Sequence, residues 1–170
     1  MANWSRRLIG APAGIRQWLV SRHSLTSRLR ERHAGFAVRQ VRQFRACPLP
    51  DETRLLGGRQ PVLVRDVWLC DADRPLVCAH SVLPWSGLQG SWRRLARLGE
   101  RPLGEVLFAD QGVRRGAMQF CLLPPAHPLA RRAAAGRIGG QRMWARRSLF
   151  LRQGKRILVS EVFMPDMMTP

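Results

Sequence analysis

Two charged side chains stand inside runs that otherwise read as buried strands. "PVLVRDVWLC" (61–70) carries Arg65, and "RILVSEVFMP" (156–165) carries Glu161. Side chains alternate along a strand, so Leu63, Arg65, Val67 and Leu69 share one face. By the same rule Ile157, Val159, Glu161 and Phe163 share another. An isolated charge at either place would cost several kcal/mol or more. Each therefore needs a partner, water at a cleft or edge, or a ligand of opposite charge. On pattern alone two arrangements stand: the two residues pair with each other or lie on solvated edges, or they line a pocket. In a pocket the arginine would grip an anion while the carboxylate handles a hydroxyl or a proton.

The elements that must position these residues follow from the rest of the chain. "PVLVRDVWLC" and "RPLVCAHSVLP" are two strand-like runs joined by the acidic turn "DADR". "WARRSLFLR" and "RILVSEVFMP" are joined by "QGK", which fits a second hairpin. "FAVRQVRQF" (36–44) and "RRGAMQFCLL" (114–123) are further strand candidates. Residues 15–32 read as helix, with Ser21 and Ser24 able to cap a second segment and split the run in two. "SGLQGSWRRLARLGE" (86–100) reads as a helix with Leu88, Trp92, Leu95 and Leu98 on one face, and "RPLGEVLF" as a turn with one more helical turn. Residues 47–61 and 124–142 read as connections, the second an extended loop with a helical turn at 129–135, and residues 1–14 as unordered. Short links between neighbouring strands predict an α+β fold, with one antiparallel sheet of about six strands and helices packed on it.

At 170 residues and 45% hydrophobic, the chain predicts a single globular domain spanning 1–170. No apolar run approaches the ~20 residues of a membrane span, and Arg16 and Gln17 interrupt any signal-like core, so a cytoplasmic protein is expected. Cys47, Cys70, Cys78 and Cys121 form no C-x-x-C pair, and His23, His33, His80 and His127 are dispersed. Reduced thiols acting as small hydrophobes are expected, and no metal site. The net charge of +18 would suit nucleic acid or an anionic surface. Against nucleic acid, the bases are spread along the whole chain, all but one are arginine, and there is no tyrosine to stack on.

The order of short blocks carries more. "SLT–RL", "VRDVWLC", "AHSVLP", "LGERPLGEVLF", "RRSLF" and "SEVFMP" follow one another from about residue 18 to 165. No block is specific alone, but the six in this order resemble the chorismate pyruvate-lyase family. The stretch 124–142 is longer and richer in Pro and Gly than that family's usual link, and the chain is more basic than the family requires.

The resemblance implies a sheet with helical elements over a closed pocket and a cofactor-free, metal-free lyase. Such an enzyme eliminates pyruvate from chorismate, leaving 4-hydroxybenzoate for ubiquinone biosynthesis. It places the ring carboxylate on Arg65 and the 4-hydroxyl at Glu161, both as catalytic residues, with Leu25 and Leu103 completing the contacts. Arg146 and Arg147 would point to opposite faces of a strand, so one is a candidate for the second carboxylate of chorismate. A monomer is expected, with chorismate and 4-hydroxybenzoate as its ligands, no specific nucleic acid, and a basic surface suited to peripheral contact with an anionic membrane. The rivals are a non-catalytic small-molecule-binding domain of the same fold and a basic nucleic-acid-binding protein.

Overall fold

A computed structural model of the chain describes residues 2–90, 92–134 and 140–168. Alternating apolar runs pair into one open antiparallel sheet of seven strands. These are β1 (Phe36–Ala46), β2 (Val62–Asp71), β3 (Arg74–Pro84), β4 (Arg114–Arg115), β5 (Gln119–Leu123), β6 (Met143–Arg152) and β7 (Lys155–Phe163). Their order is β1-β2-β3-β7-β6-β4, with β5 also paired to β6. The two expected hairpins are present as β2–β3 and β6–β7, and β3–β7 pairing joins them at the centre of the sheet. Six α-helices are present among the described residues: α1 (Ala13–Leu19), α2 (Leu25–Arg32), α3 (Pro50–Leu56), α4 (Trp85–Leu88), α5 (Leu103–Ala109) and α6 (Pro128–Ala133). No helix among the described residues is long and apolar enough to cross a membrane.

The run 15–32 does break in two, and Ser24 caps α2 by accepting a hydrogen bond from the Ser27 N–H at 3.3 Å. Residues 114–123 are not one strand but β4 and β5 on the same edge of β6. Two segments depart further from expectation. The 86–100 stretch is no continuous helix; α4 is followed by a 3-10 turn at Arg93–Arg97. Gly87 and Gly90 weaken a helix there, and a Cβ on Gly87 would stand 2.9 Å from Leu83 Cδ1. Trp92, Leu95 and Leu98 are buried all the same, so packing and not propensity shapes the segment. Residues 47–61 hold a helix where a bare connection was expected. α3 has Pro50 in its first turn, Asp51 and Glu52 beside it, and Gly57 at φ 85 as its stop.

The 124–142 stretch contains α6, and residues 135–139 lie outside the described set. Near the start of the chain, Ser5 bridges Phe120 through two backbone hydrogen bonds of 3.0 and 2.7 Å, so part of 1–14 is placed.

Because strand side chains alternate, the sheet presents two different faces. One face packs Ile15, Trp18, Leu25 and Leu29 of α1 and α2 against Val67, Leu69 and Phe163. Leu103 and Leu107 of α5 continue that layer over Phe150 and Ile157. The opposite face packs Trp68, Cys78 and Val162 against Leu129, Ala130 and Ala133 of α6. Cys70, Cys78 and Cys121 are buried, and Cys47 is exposed.

Candidate active site

The sheet register explains why a cavity forms where it does. On the α1/α2/α5 face, Arg65 of β2 stands opposite Ser81 of β3, and Ser81 opposite Val159 of β7. One row along, Val67 faces Ala79, Ala79 faces Glu161, and Glu161 faces Arg146 of β6. Arg65 and Glu161 are thus two strands apart, about 10 Å laterally at ordinary strand spacing. Between them on β3 stand only Ala79 and Ser81, two small side chains that leave a hollow in an otherwise filled layer. A cavity of about 40 Å³ lies there, lined among others by Arg65, Ala79, Ser81, Arg115, Arg146 and Glu161.

The roof comes from the N-terminal ends of α2 and α5. Leu25, Thr26, Leu103 and Gly104 all line the cavity. Leu25 and Leu103 are the first residues of their helices, where backbone N–H groups have no intrahelical acceptor. Gly104 permits the two ends to meet, since a Cβ there would lie 3.1 Å from Ser24 Oγ and 3.3 Å from Thr26 Oγ1.

Arg65 and Glu161 do not pair with each other. Arg65 is 5% exposed, and its Nη2 donates to the carbonyls of Gly99 (2.9 Å) and Arg101 (3.1 Å). Its buried Nε has no hydrogen-bond partner among the described residues. Burial pushes the guanidinium pKa down, and no carboxylate among the described residues makes a salt bridge to it. Glu161 instead accepts from Arg146 Nε through Oε2 at 2.5 Å. Arg146 is itself committed: its Nη1 donates to the carbonyls of Trp18 (2.9 Å), Leu19 (3.3 Å) and Ser21 (2.7 Å). It therefore ties the α1–α2 turn to the carboxylate.

Arg147 does not reach the cavity, as strand alternation requires for the neighbour of Arg146. It lies on the opposite face, where Nη1 meets Asp51 Oδ2 at 2.9 Å and Nε donates to Gln119 Oε1 at 2.8 Å. Of the two arginines, Arg146 and not Arg147 is among the residues lining the cavity. The sequence reading also missed two features. Arg115 of β4 lines the cavity, but a two-residue edge strand gives no periodic signal. A second buried charge cluster lies behind Arg65. Asp66 points to the far face, where His80 Nδ1 meets Asp66 Oδ1 at 2.5 Å and His80 Nε2 meets Glu52 Oε1 at 3.0 Å. Arg132 Nε stands 3.9 Å from Asp66 Oδ2, so two cations face two anions when His80 is protonated. Burial alone would lower the His80 pKa, but hydrogen bonds to Asp66 and Glu52 outweigh it and raise it. The strand-pair register Asp66↔His80 was available from the two hairpin runs, though the helix carrying Glu52 was not. No group of His, Cys, Asp and Glu able to hold a metal occurs among the described residues.

The arrangement sets a buried guanidinium and a carboxylate on opposite sides of one hollow roofed by helix ends. The chorismate lyase family profile matches residues 2–169. A protein of Thiobacillus denitrificans named "Probable chorismate pyruvate-lyase" is 45% identical over 172 residues, covering 98% of this chain and 91% of its own. One of the same name from Methylobacillus flagellatus is 44% identical over 170 residues, covering 97% and 94%. Among solved structures, PhnF from Mycobacterium smegmatis superposes with a TM-score of 0.57 at 17% identity, covering 88% of this chain and 67% of its own. A GntR-family transcriptional regulator from Bacillus cereus superposes with 0.56 at 9% identity, covering 78% and 93%. These two share the fold alone. By both the profile and the identity to its relatives, the chain belongs to the chorismate lyase family.

Proposed function

We propose that this protein eliminates pyruvate from chorismate to give 4-hydroxybenzoate, supplying the aromatic ring of ubiquinone. The observation that carries the reading is the unpartnered, buried Nε of Arg65, set across two small side chains from Glu161. Arg65 holds the ring carboxylate, and its fixed position on a central strand orients the ring without further ordering. Glu161 faces the C4 hydroxyl. It orients that group or accepts a proton during elimination, and Arg146 fixes its carboxylate for either role. Leu25 and Leu103 close on the ring from the helix ends.

The reaction balances within the substrate. The C3–O bond breaks, its electron pair leaves with the enolpyruvyl oxygen, and the C4 hydrogen departs as a proton. A proton reaching the enolpyruvyl methylene gives pyruvate, while the ring becomes aromatic. No electron is gained or lost overall, so the step needs neither an oxidant nor a reductant, and we propose a cofactor-independent lyase. The enzyme's contribution is orientation and stabilisation of the departing oxygen. α2 and α5 roof the cavity, so they must part for release, and their opening is the step we expect to limit turnover.

The test is incubation of purified protein with chorismate while the ultraviolet absorbance of 4-hydroxybenzoate is followed. Product formation above the uncatalysed rate is expected. A folded sample that forms none would overturn the proposal and favour a non-catalytic binding domain of this fold.

A further inference from the structure

Chorismate is a dianion, and Arg65 can serve only one of its carboxylates. The cavity holds Arg65, Arg115 and Arg146 against Glu161, three guanidiniums to one carboxylate, an excess of two positive charges. That excess matches a dianionic substrate. Arg146 is already committed to Glu161 and to three carbonyls. Arg115 remains.

Arg115 is held rigidly. Its Nε donates to Ser148 Oγ and its Nη1 to the Arg22 carbonyl, both at 3.0 Å. Its guanidinium carbon lies over the Phe108 ring at 5.6 Å and the Phe150 ring at 5.4 Å. Nη2 has no protein acceptor among the described residues, and no carboxylate makes a salt bridge to the group. Arg115 stands against β6, the neighbour of the β7 strand that carries Glu161, and bonds Ser148 there, so it sits at the Glu161 side of the pocket. The enolpyruvyl ether leaves ring carbon C3, next to the C4 hydroxyl that Glu161 meets. Its carboxylate must therefore fall at that same end. Arg115 also borders an outer groove with Arg6, Arg22 and Phe108, so this end of the cavity abuts the surface.

We propose that Arg115 binds the carboxylate of the enolpyruvyl group and retains it as pyruvate is expelled, a specificity contact that Arg65, Arg146 and Arg147 do not supply. The inference rests on the chorismate-lyase reading above and divides the two products between two arginines. Arg65 holds 4-hydroxybenzoate, and Arg115 holds pyruvate.

The division gives a readout that a merely structural role would not move. In Arg115→Gln, kcat/KM for chorismate should fall about 30- to 100-fold, the loss of a charge-assisted contact. The dissociation constant for 4-hydroxybenzoate, which lacks the second carboxylate, should stay within about twofold of wild type. Arg115→Lys, which keeps the charge, should recover part of the loss. Arg65→Gln should instead weaken 4-hydroxybenzoate binding as well as lower turnover. Equal losses of substrate turnover and product affinity in Arg115→Gln would overturn the proposal, and so would unchanged turnover. A wild-type protein that does not consume chorismate would instead remove the reading beneath it.

Discussion

Replacing Arg146 by methionine tests the scaffold that holds Glu161. The guanidinium is 1% exposed and satisfies one carboxylate oxygen and three backbone carbonyls at the end of α1. Methionine keeps much of the volume and removes every donor. Glu161 then loses its ion-pair partner, and the α1–α2 turn loses its tie to the sheet. Removing one member of a buried pair typically costs about 3–5 kcal/mol. Against a whole-domain stability of about 5–15 kcal/mol this is a large fraction, and a Tm loss on the order of 10 °C follows for a domain of this size. Urea unfolding should show a lower midpoint at unchanged slope. In a double-mutant cycle with Glu161→Leu, the pair should be less destabilising than the sum of the singles by about 1 kcal/mol or more, because the second change removes the orphaned carboxylate. A loss under about 1 kcal/mol for Arg146→Met, or additivity within about 0.5 kcal/mol, would refute the reasoning.

Other perturbations separate the parts of the account. Arg65→Ala should weaken 4-hydroxybenzoate binding about 10- to 100-fold by calorimetry while the protein stays folded, and unchanged affinity would mean the carboxylate lies elsewhere. Ser81→Leu should fill the hollow and abolish ligand binding with little loss of stability, and a variant that still binds would place the ring away from β3. The His80 network should shape stability against pH. His80 has its pKa raised in the folded state, so its contribution is full below about 6.5 and is lost as pH rises through the folded value. Glu52 has its pKa lowered, because burial is outweighed by His80, so its contribution is present above about 4.5 and is lost as pH falls. His80→Gln should therefore flatten the alkaline side of the stability profile, and a profile unchanged from wild type would show that His80 does not titrate there. The +18 charge, with Arg93, Arg94, Arg97 and Arg101 around one groove, should make the protein sediment with anionic vesicles at physiological salt, and a supernatant holding all the protein would remove that role.

Much of the site is legible before any coordinates, for a physical reason. Strand alternation is a strict period of two, so Leu63–Leu69 and Ile157–Phe163 place Arg65 and Glu161 on defined faces, and the same rule separates Arg146 from Arg147. Alternation cannot say which side of a sheet two distant strands share, which is why pairing of Arg65 with Glu161 stood as an alternative. Only the β3–β7 register shows that Ala79 and Ser81 hold them apart. The missed elements are short and decided by tertiary contact. α3 has good helix signals at Pro50, Asp51 and Gly57, yet they read as loop amid so many turn-forming residues. The 86–100 segment has a helical apolar stripe, but two glycines and the packing of Trp92 and Leu95 turn it into separate short pieces. Arg115 is one arginine among many, and only its place beside Phe108, Phe150 and Ser148 marks it.

The central claim is that the Arg65–Glu161 pocket converts chorismate, and its most direct test is the rate of that conversion in three proteins side by side. Wild type, Arg65→Gln and Glu161→Gln, each shown folded, should be given chorismate while 4-hydroxybenzoate and pyruvate are counted together. Wild type should release the two in equal amounts, and each variant should fall at least about 100-fold. A wild type that releases neither product, or variants that match its rate, would contradict the account.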